Sequence, residues 1–292
     1  MAATEEIAII SLGVEDAAAG LVLSTEARWN QNEDDWRFFL SEGVVFGVRD
    51  GAGRLIATAA LLPYSAGNAW ISMVLVTESW RRRGIATRLV DACLGTAKQM
   101  GLTSWLDATP AGATVYGPLG FAPTLQLRRL RLANSGSPAA VAPLESCDPA
   151  ELAAHDLRAM GFARDALLAE FSGRPGSRMM RNGNAMALIR EGRTARHIGP
   201  LFADTADQAL ALVDAIVRSE QGPLLLDAVH SHNQFLDGLT GSGWNIERPF
   251  QRMRFGSAVA QTVEPPFAVA GPEFGYEQHS CTTARSSPRS AI

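Results

Sequence analysis

Three consecutive arginines run directly into a glycine in the segment from Glu78 to Val90, which reads ESWRRRGIATRLV. The apolar run before this segment predicts a buried strand, and the residues after the glycine have helical spacing. A helix that begins here leaves its first backbone N–H groups without intrahelical partners, so the turn can hold an anion. Arginines are unfavourable at the positive end of a helix unless an anionic ligand joins them. The segment therefore predicts a phosphate-binding loop rather than a solvated run of charge.

Small residues at two positions of this loop let a phosphate group approach the backbone. A side chain at Gly84 or Ala86 would hold a pyrophosphate away from the amide groups, and flanking arginines add charge-assisted hydrogen bonds. The residues that we expect to bind the cofactor are Arg81, Arg82, Arg83, Gly84, Ile85, Ala86 and Thr87.

The loop and a second motif resemble the GNAT acyltransferases, which take an acyl group from coenzyme A. The coenzyme A loop of that family follows the pattern Arg or Gln, any, any, Gly, any, Gly or Ala, and Arg81, Gly84 and Ala86 match it. The family signature Tyr-x-x-x-Gly-Phe follows at residues 116–121. The resemblance covers roughly residues 8–132 and implies acetyl-CoA as the acyl donor, without a metal ion.

The resemblance also implies roles for residues outside the loop. The strand before the loop would pair with the pantetheine arm through the backbone of Val74 and Val76. Tyr116 would protonate the departing thiolate, since a phenol with a pKa of about 10 stays protonated at neutral pH. The alternative for Tyr116 is a packing tyrosine whose hydroxyl reaches the surface.

An amine acceptor must lose a proton before it attacks, so a base or a water chain should lie near the thioester. Candidate bases are Glu26, Asp34 and Asp107, and we expect Glu26 to be the catalytic one. Asp227 occupies the position of Asp107 in a later repeat, which points to a structural role for both aspartates.

The acceptor pocket of the resembling family is lined by its first two helices and the elbow between them. The residues that this implies as acceptor-binding here are Trp29, Asn30, Asp34 and Trp36. Tryptophans with carboxylates can bind an organic cation. The equally weighted alternative is that the tryptophans pack in the core and the acids only solvate their helices.

The first half of the chain has the elements needed to position these residues. A hairpin turn at residues 50–53 joins two of its predicted strands. Helices are predicted at residues 21–29, 34–40, 85–100 and 111–119, and strands at 43–49, 55–63, 70–76, 103–108 and 123–132.

The second half repeats the later part of this order. Strands are predicted at residues 185–190, 197–202, 224–229 and 250–255, with a helix at 205–218. The tripeptide Leu-Asp-Ala occurs at residues 106–108 and again at 226–228, which favours an internal duplication. Residues 199–204 have no arginine or glycine at the required spacing, and Leu239 stands where the tyrosine would be. We therefore expect one active site per chain.

These observations predict an α/β (α+β) fold of two tandem GNAT-like domains, each a mixed, mostly antiparallel twisted sheet flanked by helices. We expect a catalytic domain at residues 1–133, a linker at 134–149, a degenerate GNAT-like domain at 150–258 and a tail at 259–292. The last part of the tail is poor in apolar residues and is predicted to be disordered. Residues 265–275 are apolar enough to dock as an extra strand.

Composition restricts the partners and the compartment. The 292 residues carry a net charge of −4, which argues against a nucleic-acid binder. The three cysteines are too few and too widely spaced for a disulfide framework or a metal site. The chain shows neither a signal peptide nor a long apolar run, so we expect a cytoplasmic protein without membrane contacts. An oligomer remains possible.

The sequence therefore predicts an N-acetyltransferase that moves an acetyl group from acetyl-CoA to a small-molecule amine. We expect direct attack by the amine within a ternary complex. Two alternatives are a non-catalytic module that senses acyl-CoA and an acyltransferase that uses a different acyl-CoA. No motif identifies the acceptor.

Overall fold

The computed structural model describes residues 8–134, 144–256 and 265–275. The predicted disorder at the end of the tail and most of the predicted linker lie outside these residues. The helices in the described part of the chain are α1 (Ala17–Glu26), α2 (Glu33–Glu42), α3 (Ile85–Gln99), α4 (Pro110–Tyr116), α5 (Pro149–Met160), α6 (Asp165–Gly173), α7 (Ala206–Ser219) and α8 (Asn233–Gly241).

The strands form one mixed sheet, which runs in the order β1-β2-β3-β4-β5-β12-β6-β11-β13-β10-β9-β8-β7. Two pairs, β4–β5 and β10–β11, are parallel, and the other pairs are antiparallel. The strands are β1 (Ile10–Ser11), β2 (Val44–Arg49), β3 (Leu55–Tyr64), β4 (Asn68–Val76), β5 (Thr103–Ala108), β6 (Phe121–Leu132), β7 (Glu145–Ser146), β8 (Arg178–Asn182), β9 (Ala185–Arg190), β10 (Arg196–Phe202), β11 (Leu224–Val229), β12 (Asn245–Phe255) and β13 (Ala268–Val269).

Helices cover both faces of this sheet. Helix α3 packs on the first half through an apolar stripe that includes Leu89 and Cys93, while α7 and α8 pack on the second half. Helices α1, α2, α5 and α6 share a third apolar cluster, so the two halves are joined by a common core. The predicted fold class is confirmed, because a mostly antiparallel sheet flanked by helices occurs in both halves.

The two halves exchange their last long strands. Strand β12 of the second half lies between β5 and β6 of the first half, and β6 in turn pairs with β11 of the second half. Neither half therefore completes its sheet alone. Sequence periodicity indicates both exchanged strands but cannot reveal which half each joins, because pairing partners are distant in the chain.

Each exchanged strand is held by a buried ion pair to a repeated aspartate. Arg252 of β12 lies opposite Asp107 of β5, and its Nε is 2.8 Å from Asp107 Oδ1. Arg129 of β6 lies opposite Asp227 of β11 and makes two hydrogen bonds of 2.8 Å to its carboxylate. The aspartate of each Leu-Asp-Ala tripeptide therefore anchors the strand that comes from the other half.

The segment at residues 265–275 docks as the predicted extra strand. Strand β13 lies between β10 and β11, where Ala268 pairs with Leu201 on one side and with Ala228 on the other. A Cβ at Gly199 would lie only 2.1 Å from the carbonyl oxygen of Val269, so glycine permits this close approach. The segment is therefore built into the sheet of the second half.

The same segment then crosses to the first half. The Trp70 indole N–H donates to the Pro272 carbonyl at 2.9 Å, and the Tyr64 hydroxyl donates to the Phe274 carbonyl at 2.6 Å. The Phe274 ring stacks on Phe39 with 5.0 Å between the ring centroids. Residues 271–275 therefore bring the end of the described chain against β4.

We expect Asp227→Asn to destabilise the protein by about 3–5 kcal/mol, because it leaves the buried Arg129 guanidinium without its counter-charge. Urea unfolding followed by circular dichroism measures this loss. Asp237→Asn on the exposed side of α8 is the matched control and should change the free energy of unfolding by less than about 0.5 kcal/mol. Replacing both partners, as Asp227→Leu with Arg129→Met, should cost less than Asp227→Asn alone, and a larger loss would contradict this account.

Candidate active site

The parallel strands β4 and β5 separate in the middle of the first half. They pair from Asn68 opposite Thr103 to Trp70 opposite Trp105, and no pairing between them follows. A bulge in β4 coincides with the separation, since Met73 has φ of 51° and the Thr58 hydroxyl donates to its carbonyl at 2.8 Å. The bulge turns the β4 backbone and leaves a gap beside it.

A cavity opens at this gap. Its wall comes from β4 and β5, from the α1–α2 elbow, from α4, from both exchanged strands and from the C-terminal segment. The lining residues are Trp29, Gln31, Ile71, Ser72, Met73, Val74, Leu106, Asp107, Ala108, Thr109, Tyr116, Arg129, Arg248, Phe250, Pro272 and Glu273.

The predicted phosphate loop follows β4. Arg82 and Gly84 both have left-handed backbone conformations, with φ of 62° and 74°, and Gly84 directly precedes α3. A left-handed arginine is uncommon and carries a strain that such loops use to orient successive amides. No atom other than those of its chain neighbours lies within 4 Å of a Cβ built on Gly84, so an anion can reach the helix start.

The three arginines of the loop have different environments. Arg81 Nε donates to the Val76 carbonyl at 3.0 Å. Arg83 lies over the Trp80 ring, 4.6 Å from its centroid, and donates to the Ser79 carbonyl at 3.1 Å. Arg82 is exposed at the tip of the loop. Two of the guanidinium groups therefore stiffen the loop, while Arg82 is directed to solvent.

Of the two valines predicted to pair with the pantetheine arm, only Val74 lines the cavity. Val76 lies in the ladder opposite Ala57, and its carbonyl oxygen accepts from Arg81. The backbone available at the gap is therefore centred on Val74.

Tyr116 stands at the end of α4 and forms part of the cavity wall. Its ring centroid is 6.1 Å from that of Phe121, so the signature tyrosine and phenylalanine pack together. Burial raises the pKa of the Tyr116 phenol to about 12, with a smaller contribution from Cys93. The hydroxyl therefore stays protonated across the physiological range, as a proton donor must.

Glu26 does not lie in the cavity, which corrects its predicted position near the acceptor. Its carboxylate accepts from the Thr77 hydroxyl at 2.6 Å and from the Glu78 amide at 2.7 Å. The hydrogen bond from Thr77 is the main cause that lowers the pKa of Glu26, which is opposite to the change that favours a base at neutral pH. Glu26 ties the end of α1 to the start of the phosphate loop.

The predicted acceptor residues separate into different roles. Trp29 lines the cavity. Asn30 instead joins the two halves, since its Oδ1 accepts from the Thr194 amide at 2.9 Å and the Ala195 amide at 3.0 Å. Trp36 is 0% exposed and donates to the Ser24 hydroxyl at 2.9 Å, so it is a core residue. Asp34 is exposed on α2 and lies outside the cavity wall.

The cavity also contains polar residues that the sequence pattern does not indicate. Gln31 follows the predicted Asn30 directly, whereas Arg248 and Glu273 lie more than a hundred residues from the motifs of the first half. Arg248 comes from the exchanged strand β12, and Glu273 comes from the C-terminal segment. The strand exchange brings Arg248 to the gap, and the docked C-terminal segment brings Glu273, so no local signal could have identified them.

The second half has the corresponding gap, but its own chain fills it. Strands β10 and β11 pair in parallel from Arg196 to Ile198, and β13 then enters between them. Helix α7, which follows β10, is capped by the Thr205 side chain and has Asp207 in its first turn. An acidic, capped helix start beside a filled gap does not suit a phosphorylated ligand.

An open gap between parallel strands, followed by a helix start that can hold an anion, suits a coenzyme A-dependent acyltransferase. Residues 15–121 match the model of the "Acetyltransferase (GNAT) family", and residues 152–267 match a second model, "Acetyltransferase (GNAT) domain". The chain therefore belongs to the GNAT acetyltransferases and has one domain of the family in each half. The predicted tandem arrangement and the predicted acyltransferase class are confirmed.

The similarity to known proteins extends over most of the chain. The uncharacterized N-acetyltransferase YitH of Bacillus subtilis is 24% identical over 249 residues, which cover 81% of this chain and 87% of that protein. A candidate acetyltransferase from Pyrococcus horikoshii has a similar structure, with a TM-score of 0.77 at 18% identity, over 93% of this chain and 96% of the other. A tandem GNAT protein from the clavulanic acid biosynthesis pathway has a TM-score of 0.61 at 16% identity, over 87% and 100%. These likenesses show the tandem fold.

No group of three or more His, Cys, Asp or Glu side chains in the described part of the chain is placed to hold a metal ion. None of the helices described above is both long and apolar enough to span a bilayer.

We expect Gly84→Glu to weaken coenzyme A binding by at least about tenfold, because a carboxylate at the helix start repels the pyrophosphate and blocks its approach. Isothermal titration calorimetry measures the affinity. The matched control is Gly95→Glu on the exposed face of the same helix, where a Cβ meets no atom within 4 Å. Thermal unfolding of both variants separates binding from folding, since the left-handed position costs about 1–2 kcal/mol for a non-glycine residue. Unchanged affinity in Gly84→Glu would exclude this loop as the phosphate site.

Proposed function

We propose that the protein is an N-acetyltransferase that moves the acetyl group of acetyl-CoA to the amine of a small molecule. One observation carries this proposal, namely that β4 and β5 part directly before the phosphate loop and expose the β4 backbone to a cavity bordered by Tyr116. An extended pantetheine arm can fill such a gap as an added strand, which is the general mode of β-augmentation.

The residues of the first half suggest how the reaction proceeds. The amides at the start of α3, together with Arg82, would hold the pyrophosphate, and the backbone around Val74 would align the arm. The free amine then attacks the thioester carbon, the C–S bond breaks, and the Tyr116 hydroxyl gives its proton to the leaving thiolate. The proton lost by the amine passes to a base or water in the cavity.

The enclosure of the cavity supports a small acceptor. Small ligands usually bind in concave, largely pre-formed clefts. The second half and the C-terminal segment close part of the cavity wall. The acceptor must therefore fit beside the acetyl group within the cavity. A protein acceptor would have to enter as a narrow terminus.

We expect Tyr116→Phe to lower kcat by about 10²-fold or more while leaving the affinity for coenzyme A within about twofold. Thiol release measures turnover, and calorimetry measures the affinity. The loss should shrink with a thioester donor whose thiol is more acidic, because that thiolate leaves without protonation. An equal loss with both donors, or a parallel loss of affinity, would identify Tyr116 as a packing residue.

A further inference from the structure

Two buried polar atoms in the cavity wall lack hydrogen-bond partners within the described residues. They are the Gln31 side-chain oxygen, on a residue that is 3% exposed, and the Ser72 hydroxyl on β4. Buried polar groups of folded proteins are nearly always paired with protein, water or ligand. The Gln31 oxygen can only accept a hydrogen bond, so its partner must be a donor such as an ammonium group.

The charged residues of the wall differ in how fully they are neutralised. Arg129 and Asp107 are both consumed by the ion pairs that anchor the exchanged strands. The Arg248 side chain makes no hydrogen bond or ion pair to any residue in the described ranges, and the residue lies opposite Arg129 in the β6–β12 register. Burial, followed by the nearby Arg129, lowers the pKa of Arg248. Glu247 and Asp227 oppose this change, but Glu247 is paired with Arg131 and Asp227 with Arg129. An added anion would therefore stabilise the half-buried Arg248 guanidinium.

Glu273 provides a negative charge at another part of the same wall. The Arg190 Nη2 atom is 3.9 Å from Glu273 Oε1, and that arginine also faces Asp35 at 3.5 Å. Burial raises the pKa of the Glu273 carboxyl, although Arg129 and Arg190 oppose this change. The adjacent Pro272 is fixed to Trp70, the last residue of β4 that pairs with β5. Glu273 therefore lies next to the point where the donor gap opens.

We infer that the acceptor is a small amine that also carries an anionic group, either a carboxylate or a phosphate. Arg248 binds the anionic group, and Glu273 with the Gln31 oxygen receives the ammonium near the donor gap. This assignment rests on the proposed function, since it identifies the substrate class of that same site. It also gives the second half a part in substrate choice, because Arg248 and Glu273 both come from it.

The experiment compares paired acceptors that differ only in the anion. One pair is an amino acid and its carboxamide, and the other is O-phosphoethanolamine and ethanolamine, so that the two arms distinguish carboxylate from phosphate. Thiol release from acetyl-CoA gives kcat/KM for each compound. We expect the wild-type protein to prefer the anionic member of at least one pair by about tenfold or more, as one charge-assisted contact allows.

Variants then assign the preference to the two residues. Arg248→Gln should lose about tenfold more activity on the anionic member than on its uncharged partner, mainly through KM, and Arg248→Lys should retain part of the preference. Glu273→Gln should raise KM for both members. Arg158→Gln on the exposed face of α5 removes the same charge outside the cavity wall and should change neither.

The outcomes separate the inference from the proposed function. Equal kcat/KM within both pairs, or a preference that survives Arg248→Gln, would overturn the inference and leave acetyl transfer intact. Absence of thiol release with every amine would overturn the proposed function instead. In that event, calorimetry of the same pairs with coenzyme A-loaded protein decides the inference. Binding of an anionic member that Arg248→Gln abolishes would support it, and the lack of any such binding would refute it.

Discussion

The exchange of the last long strand between the two halves, fixed by a buried Asp–Arg pair on each side, is the constraint on which the rest of the structure depends. Asp107 with Arg252 and Asp227 with Arg129 occupy equivalent positions of equivalent strand pairs. A slip of one residue would turn each arginine to the other face of the sheet and leave a buried charge unpaired. The pairs therefore fix the register of the central strands, and with it the position of the cavity.

The same exchange explains why the wall of the cavity is not formed by one half alone. The first half supplies β4, β5 and Tyr116, whereas Arg248 comes from β12 and Glu273 from the C-terminal segment. Under the proposed function, these later parts of the chain would contribute the shape and charge of the acceptor side.

Local sequence patterns were sufficient to predict the strand, the turn and the helix around the arginine loop. The strand at 70–76, the loop and the helix from Ile85 occur as predicted, because all the residues involved are neighbours in the chain. Local patterns could not indicate the contacts that residues make with distant parts of the chain. Asn30 binds the second half, Trp36 packs in the core, and Glu26 accepts hydrogen bonds from the start of the loop. Helices α5, α6 and α8 were not predicted.

The two parallel strand pairs show which hydrogen bonds a ligand in the gap has to supply. Wherever such a pair separates, the inner backbone N–H and C=O groups lose their ladder partners, and buried groups of this kind are costly unless paired. In the second half, Ala268 and Val269 supply these partners as β13. The gap beside Val74 has the same origin but lies between the loop at residues 81–87 and an open cavity, so an extended ligand that is rich in amide groups and phosphorylated at one end would suit it. Those are the properties of acyl-coenzyme A, and the filled gap of the second half indicates that an extended chain fits the scaffold.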